Sequence, residues 1–440
     1  MTLPVETALS KMTAEPFAYP SVFRVRQRFA AGHISNVAAE VEKQLLRLTL
    51  HHTIQPGQSV AIAVGSRGIA NIQHIIKAIV DHLRSLGAEP FIVPAMGSHG
   101  GGTAEGQKQI VESLGITEEL CGCSIQSSME TTIVCTAAEG FPIHFDRLAY
   151  NADHVVVCNR IKTHTQFFGD VESGLMKMLL IGLGKHAGAK IYHRAIKDYS
   201  FGQIVRSVAS QVLARCPISA GIAIVENGYG QTARIEAVLP EQFEQQEKRL
   251  LSQAKQWSAR LPFQAADILL IDQIGKNISG TGFDLSITGR RYQVHKAAET
   301  ESPKIGMIAL RDLTAASHGN AEGMGLAEFC RKRLLEKVDL NATRVNSLTS
   351  GHFTGSMIPI DFDTDAELLT TMLHQIGLTE PPHAKLLWIR NTLALAEVEC
   401  SAAYLDDARQ RDDLEILTEL RPLPFDEHGN LPDEQGLLAD

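Results

Sequence analysis

The sequence predicts an α/β protein of two domains, each built on a mostly parallel sheet flanked by helices. Short apolar runs alternate with stretches whose apolar residues recur every three or four positions, as strands and helices do in such sheets. The length of 440 residues exceeds that of a usual single domain. The pattern restarts after a polar helical stretch at 241–260, so we expect domains over residues 1–258 and 259–440.

Composition and net charge indicate which kinds of partner the protein does not favour and in which cellular compartment we expect it. Hydrophobic residues make up 44% and charged residues 21%, as in globular proteins. The net charge of −9 disfavours nucleic acid or an anionic membrane surface as the main partner. Residues 1–17 lack the pattern of a signal peptide, and seven dispersed cysteines suit reduced thiols. We therefore expect a cytoplasmic protein.

The first half of the chain begins with two strand–helix pairs. The apolar run Val60–Val64 predicts a strand, and the apolar face of residues 72–83 predicts the helix after it, with Gly87 as its stop. Phe91–Met96 predicts the next strand. It leads into a glycine-rich turn, after which Thr103 is a good cap for a second helix.

The same alternation continues to the end of the predicted first domain. Thr131–Ala149 resembles a two-stranded excursion, and Val155–Cys158 predicts a buried strand. Leu175–Gly184 and Phe201–Ala214 are expected to be helical, and Ile222–Val225 to be a strand.

The second half repeats the pattern more sparsely. Ile268–Ile271 and Ile305–Leu310 predict strands, and Leu326–Val338 predicts a helix.

Residues with chemically useful side chains follow four of these strands. In parallel sheets, ligands gather where strands end at their carboxyl edge. Arg67 follows the first strand, His99 the second, Lys162 and His164 the strand ending at Cys158, and Lys276 the strand ending at Ile271. The loops after these strands are therefore the predicted site.

Two histidines are candidates for acid–base work. His99 lies among glycines at the start of a predicted helix, where Gly100, Gly101 and the Thr103 cap could seat an anion. The alternative is a turn histidine that packs locally. With His164 on another strand end, the two could address opposite faces of one carbon, which a racemase needs.

Two lysines and a third histidine complete the candidates. Lys177 lies between apolar residues. It is either a surface lysine whose charge reaches solvent or a desolvated lysine that forms a covalent bond to a cofactor. Lys185 is the other candidate for the covalent bond. His193 is either a helix-surface residue or a metal ligand of the type that nickel accepts. Arg67 and Lys276 would both suit a carboxylate.

Taken together, these residues resemble the nickel-dependent lactate racemase family, now a wider group of nickel-pincer nucleotide isomerases. The resemblance covers about residues 55–280 and depends on order and spacing rather than on one motif. The matching residues are Arg67, His99 in Gly97-Ser-His99, His164, Lys177, His193, Gln273 and Lys276.

The resemblance implies a cofactor and the residues that hold it. The cofactor would be the nickel-pincer nucleotide, pyridinium-3-thioamide-5-thiocarboxylic acid mononucleotide with Ni(II), tethered to Lys177. His193 would complete the nickel coordination in a square plane. Gly100, Gly101 and Thr103 would seat its phosphate.

The resemblance also implies a reaction, the inversion of C2 of a 2-hydroxy acid, in a cleft between the two domains. His99 or His164 would take the hydroxyl proton, hydride would move from C2 to the cofactor, and its return to the other face would invert the centre. Arg67 and Lys276 would hold the substrate carboxylate, which Gln273 would orient.

This chain departs from the family just before its arginine. Where the family usually has an aspartate and a threonine, the chain has Val64, Gly65 and Ser66. A larger hydroxy acid, such as a sugar acid, is therefore at least as compatible as lactate. The expected partners are this substrate and enzymes that make the cofactor; the oligomeric state stays open, with a homodimer among the options.

Two alternatives come from other classes. One is a zinc-assisted hydrolase or lyase with the metal among His99, His164 and His193, which predicts bound zinc and an unmodified Lys177. The other is a non-catalytic protein that binds a small anion, for which no hydroxy acid would be turned over.

Overall fold

The computed structural model of the protein describes residues 18–29, 32–164 and 168–433. The chain divides into two compact units. The N-terminal unit is Ala30–Ser258, and the C-terminal unit joins Met1–Phe29 to Ala259–Asp440. Residues 1–17, on which the prediction about a signal peptide depends, lie outside the described residues.

Both units are α/β with mostly parallel sheets flanked by helices, which confirms the predicted fold class. The described strands are β1 (Val22–Gln27), β2 (Ser59–Val64), β3 (Glu89–Pro94), β4 (Thr131–Thr136), β5 (Pro142–Asp146), β6 (His154–Arg160), β7 (Ile218–Glu226), β8 (Thr232–Val238), β9 (Ala265–Ile274), β10 (Lys304–Leu313), β11 (Phe329–Arg331), β12 (Ile360–Phe362), β13 (Leu386–Ile389), β14 (Glu397–Ser401) and β15 (Leu414–Ile416). The described α-helices are α1 (Val37–Leu46), α2 (Ile72–Ser85), α3 (Ala104–Ser113), α4 (Glu118–Cys121), α5 (Arg147–Asn151), α6 (Leu175–Lys177), α7 (Lys185–Ala195), α8 (Phe201–Arg215), α9 (Phe243–Trp257), α10 (Leu285–Thr288), α11 (Lys332–Leu335), α12 (Leu340–Ser350), α13 (Asp365–Leu373) and α14 (Leu405–Arg409).

In the N-terminal unit, described strands form a sheet in the order β3–β2–β6–β7–β8. The first three pairings are parallel, and β8 joins the edge antiparallel. Along β2, Ala61 and Ala63 face one core, and Val60, Ile62 and Val64 face the other. This double burial explains why β2 is a continuous apolar run.

Helix α2 packs on one face of this sheet because its apolar residues share one side. The buried positions are Ile72, Ile75, Ile76, Ile79, Val80 and Leu83. The helix ends at Ser85, and Gly87, at a φ of +81°, turns the chain towards β3.

The sheet of the C-terminal unit has the described order β12–β11–β10–β9–β13–β14–β1–β15. Pairing is parallel from β12 to β13 and antiparallel beyond. Its two faces carry separate cores, with Leu269 and Ile271 in one and Ile268 and Leu270 in the other. Both faces of β9 are therefore covered.

The first strand corrects the predicted domain division, which put residues 1–258 together. β1 pairs antiparallel with β14 and β15 of the C-terminal sheet, at Phe23↔Cys400 and Val25↔Ile416. Phe23 and Val25 are buried in that core. The partners lie at the far end of the chain, so local patterning carries no sign of this pairing.

The helix predicted at Leu326–Val338 is mostly wrong. Phe329–Arg331 forms β11, whose residues are buried and which pairs in parallel with β10 and β12. Only Lys332–Leu335 is α-helical. Burial of the short segment between two strands overrides its helical periodicity.

Two further findings concern the chain as a whole. All seven cysteines are free. No helix among residues 18–29, 32–164 and 168–433 is long and apolar enough to cross a membrane.

Candidate active site

Three loops meet at the carboxyl edge of the five-stranded sheet. They follow β3, β2 and β6, which are parallel neighbours in that order. Arg67 lies on the central loop, with His99 after β3 and His164 after β6. Because neighbouring strands are about 4.8 Å apart, the histidine loops start roughly 10 Å apart, on either side of the arginine loop. This arrangement suits two acid–base groups that approach one ligand from opposite sides.

His99 is held through both its ring and its backbone. Its Nδ1 is in hydrogen-bond contact with Ser66 Oγ on the loop after β2. Gln107 of α3, fully buried, donates from Nε2 to the carbonyls of Gly97 (2.8 Å) and His99 (3.2 Å). The His99 side chain remains exposed. Because Nδ1 faces Ser66, proton exchange with a ligand would use Nε2.

The glycines predicted to seat a phosphate have different structural roles. Gly100 and Gly101 have φ angles of +64° and +66°. A Cβ on Gly100 would lie 2.5 Å from the carbonyl carbon of Gly106, so local packing already requires glycine there. A Cβ on Gly101 would meet nothing within 4 Å, so a ligand can approach the backbone at this position. The Thr103 hydroxyl accepts from the Gly106 amide (3.1 Å) and caps α3, as predicted.

Lys177 ends the short helix α6 and leads into a π-helical turn at Met178–Gly182. Such turns are rare and frequently occur at functional sites. The side chain is half-buried, and its pKa is lowered to about 7, first by burial and then by the cations Arg67 and Lys162, against the effect of Glu247. At neutral pH much of the amine is therefore uncharged and nucleophilic.

The π-helical turn packs against the loops after β2 and β3. A Cβ on Gly65 would lie 3.8 Å from Sδ of Met178, and the Gly97 amide donates to the Gly182 carbonyl (3.4 Å). These contacts place the turn that follows Lys177 beside the loops of Arg67 and His99.

His193 lies half-buried on α7, within electrostatic reach of Lys177. Burial lowers its pKa, and the ammonium of Lys177 lowers it further. Neutral imidazole is the form that binds a metal. The structure thus brings together an amine suited to a covalent bond and a nitrogen suited to a metal.

The surroundings of Lys177 are cationic, although the protein is acidic overall. Arg67 is exposed to solvent, yet its pKa is lowered by surrounding protein and then by Arg160. Arg160 is paired with Glu226, which also accepts from the Ala70 amide (2.7 Å) and so ties down the loop after β2. Such clustered cations suit a phosphate or a carboxylate.

The loop that carries His164 is closed at its base. Lys162 and Ser173 exchange backbone hydrogen bonds of 2.9 and 3.3 Å. The His164 amide donates to the buried carboxylate of Glu172 (2.8 Å), which is paired with Lys255 of α9 (2.7 Å). Residues 165–167, next along this loop, lie outside the described residues.

Lys185, the rival covalent anchor, is a structural residue. It is 0% exposed, and its Nζ donates to the Pro94 carbonyl (2.9 Å) and to Gln107 Oε1 (2.7 Å). Asp146 Oδ2 lies 3.4 Å away. An ammonium enclosed by three oxygen atoms is not placed to attack a ligand, so the structure favours Lys177.

Gln273 and Lys276 lie at the corresponding edge of the C-terminal sheet. Gln273 is within β9, and Lys276 is on the loop after it. The Lys276 ammonium donates to the buried Glu322 carboxylate (2.9 Å), whose other oxygen contacts His352 Nδ1 (3.1 Å). The charge of Lys276 is therefore balanced within the protein.

The zinc alternative finds no ligand set in the described part of the chain. No group of three or more His, Cys, Asp or Glu residues there could hold a metal ion. His99 and His164 lie on different loops, His193 lies within α7, and the three form no such group.

Sequence reasoning missed the buried polar residues that support the site. They are Gln107, Glu172 and Glu247, and the partly exposed Lys255 pairs with Glu172. Glu247 had a detectable signal, because it occupies a position on the apolar face of α9 defined by Phe243, Leu250 and Ala254. The sequence by itself indicates only a polar helical stretch at 241–260 between the two predicted domains.

Residues 24–201 match the family model described as the lactate racemase N-terminal domain. Over these residues, which are less than half of the chain, the protein is similar to the lactate racemase family. This match agrees with the resemblance drawn from Arg67, His99, His164, Lys177 and His193, which all lie in the matched range.

A solved structure shares the fold. The lactate racemase apoprotein from Thermoanaerobacterium thermosaccharolyticum aligns with a TM-score of 0.51 at 12% identity, over 86% of this chain and 99% of that chain. No curated protein matches the sequence. The comparisons therefore show the fold and a family resemblance over residues 24–201, whereas the activity and the substrate require a separate argument.

Proposed function

We propose that the protein inverts C2 of a 2-hydroxy acid with the help of a nickel-pincer nucleotide tethered to Lys177. The observation that carries this proposal is the pairing of Lys177, whose pKa is lowered to about 7, with His193 in a cationic site. A structural lysine and a surface histidine would not need this combination of burial and positive neighbours.

The chemistry of the residues fits the cofactor. The amine of Lys177 can form the covalent link, and the neutral imidazole of His193 can bind nickel. The open backbone at Gly101, beside the start of α3, can receive the phosphate. When bound, the nickel-pincer nucleotide supplies a reversible acceptor for the hydrogen and electron pair of C2.

The protein's own residues bind the substrate and move its proton. Arg67, as a planar cation at the carboxyl edge, binds the substrate carboxylate. His99, held at Nδ1 by Ser66, accepts or returns the hydroxyl proton at Nε2. His164, on the far side of the arginine loop, does the same for the other face of the carbon.

The substrate is a 2-hydroxy acid that can be larger than lactate, and a sugar acid is a candidate. Ser66, one of the three residues that replace the family's pattern before Arg67, is engaged with His99. Gln273 and Lys276 are proposed to contact the substrate. Because Glu322 already balances the positive charge of Lys276, this lysine would act on the substrate mainly as a hydrogen-bond donor.

The proposal also includes how the protein acquires its cofactor and where in the cell it acts. The tether requires partner enzymes that make the cofactor. A cytoplasmic location is supported by seven free cysteines, which suit a reducing compartment.

The test is to express the protein with nickel and the cofactor-making enzymes and to analyse its peptides by mass spectrometry. We expect a nucleotide-sized adduct on Lys177, one nickel per chain, and racemisation of at least one member of a panel of 2-hydroxy acids and sugar acids. Lys177→Ala should abolish all three signals, and Lys190→Ala, at an exposed lysine of α7, should leave them intact.

The outcomes separate the proposed function from its alternatives. Zinc in the purified protein with an unmodified Lys177 would favour a hydrolase or lyase. Ligand binding that survives His99→Ala and His164→Ala, with no turnover of any hydroxy acid, would favour an anion-binding protein. Either outcome would refute the racemase.

A further inference from the structure

Helix α9 carries a carboxylate where its pattern calls for an apolar residue. Its buried face includes Phe243, Leu250, Leu251 and Ala254, and Glu247 lies among them with 1% of its surface exposed. Burying a carboxylate costs several kcal/mol, and an apolar residue of similar size would be as stable or more stable. The carboxyl group at this position therefore calls for an explanation other than stability.

Glu247 binds the start of the helix that carries Lys177. Its Oε2 accepts from the Met176 amide at 2.8 Å, one of the donors that a helix start leaves unsatisfied. The approach is close, since a Cβ on Gly174 would lie 2.4 Å from Cδ of Glu247. Only glycine at 174 allows the carboxylate to reach the turn. Glu247 therefore fixes the backbone immediately before the reactive lysine.

A second residue of the same helix supports the loop of His164. Lys255 lies eight residues after Glu247, about 12 Å along the helix. Its ammonium is 2.7 Å from Oε1 of Glu172, which is 1% exposed, and Oε2 of Glu172 accepts from the His164 amide at 2.8 Å. One buried carboxylate therefore links α9 to the backbone of the histidine.

We infer that α9 is the positioning element of the site: Glu247 sets the turn of Lys177, and Lys255 sets the loop of His164 through Glu172. The inference rests on the proposed function, in which Lys177 and His164 act. Neither Glu247 nor Lys255 is a catalytic residue, because each acts through the backbone of another. The effects of Glu247 and Lys255 can be measured separately, because the two residues are two helical turns apart and contact different segments of the chain.

The first arm of the test compares Glu247→Ala with Glu247→Gln. Glutamine keeps an acceptor for the Met176 amide, and alanine removes it. We expect Glu247→Ala to lose hydrogen-exchange protection over 175–182 and to reduce the fraction of Lys177 that carries the cofactor at least fivefold. Glu247→Gln should restore both to within twofold. Glu244→Gln, one turn away in a surface ion pair, is the matched control.

The second arm compares Lys255→Met with Lys255→Arg, which can keep the pair with Glu172. We expect Lys255→Met to lose protection at the His164 amide and to lower kcat about tenfold, with KM and the occupancy of Lys177 within twofold. Lys255→Arg should recover most of kcat. Lys248→Met is the control, since Asp170, which Lys248 binds, keeps its pair with Arg206.

The result of each arm can be assigned to the inference or to the proposed function. Unchanged protection in both Glu247→Ala and Lys255→Met, or equal losses in their controls, would overturn the inference whatever the enzyme does. A wild-type protein without adduct or turnover, with protection lost in the variants as expected, would refute the proposed function and leave α9 as the support of both segments.

Discussion

The surroundings of Lys177 predict that its amine is acetylated rapidly at neutral pH. An amine with a pKa of about 7 is about half uncharged at pH 7, whereas an ordinary lysine with a pKa of about 10.4 is uncharged in roughly 0.04% of molecules. The reactive form of Lys177 is therefore about 10³ times more abundant. Its lower basicity and partial burial reduce this advantage, so we expect labelling at least tenfold faster than at an exposed lysine.

The assay is acetylation of protein expressed without the cofactor-making enzymes, followed by mass spectrometry of its peptides over a pH series. Lys177 should be labelled with a midpoint near pH 7, and Lys190, exposed on α7, serves as the internal reference. Arg67→Gln removes a cation that lowers the pKa of Lys177, so the midpoint should move to higher pH. Arg215→Gln, at an exposed arginine, should not move it.

The opposite result would refute the reasoning. If Lys177 is labelled no faster than Lys190 at pH 7 and its labelling rises only above pH 9, the amine is an ordinary cation. A midpoint that stays constant in Arg67→Gln would remove Arg67 as a cause of the lowered pKa.

Three further predictions address other parts of the site. His193→Ala should reduce bound nickel, measured by elemental analysis, while the covalent adduct remains; loss of the adduct with nickel retained would contradict this role. Lys185→Met should destabilise the protein by about 3–5 kcal/mol in urea denaturation, because Asp146 is left as a buried carboxylate without its cation, whereas the same change at an exposed lysine of α7 should cost under about 0.5 kcal/mol. Ser66→Ala should lower kcat about tenfold with little change in KM, because His99 loses the partner at Nδ1; an unchanged kcat would show that this contact does not position the ring.

Much of the N-terminal unit could be predicted from local patterns. The strand at Val60–Val64 and the helix after it are regular, because residues buried on both faces or on one side leave a clear period. The placing of Arg67, His99 and His164 at one sheet edge also follows from the order of parallel strands. These features depend on neighbours that are close in the chain or on a general rule of parallel sheets.

Long-range pairing was the part that patterns missed. β1 joins strands from the end of the chain, and β11 forms because it lies between two other strands, against its helical period. Neither event leaves a local signal, since the stabilising partner is distant in sequence.

By itself, the sequence determined the fold class, the sheet edge at which the candidate residues lie, and the residue types that resemble the lactate racemase family. Only the tertiary structure distinguished the surroundings of Lys177 and Lys185, because the Lys185 ammonium is enclosed by oxygen atoms. It also placed the Glu247 carboxylate of α9 against the Met176 amide, a contact that the polar helical stretch at 241–260 does not indicate by itself. The physical reason is that burial and hydrogen-bond partners set the charge and position of a side chain, and both come from residues that only folding brings together.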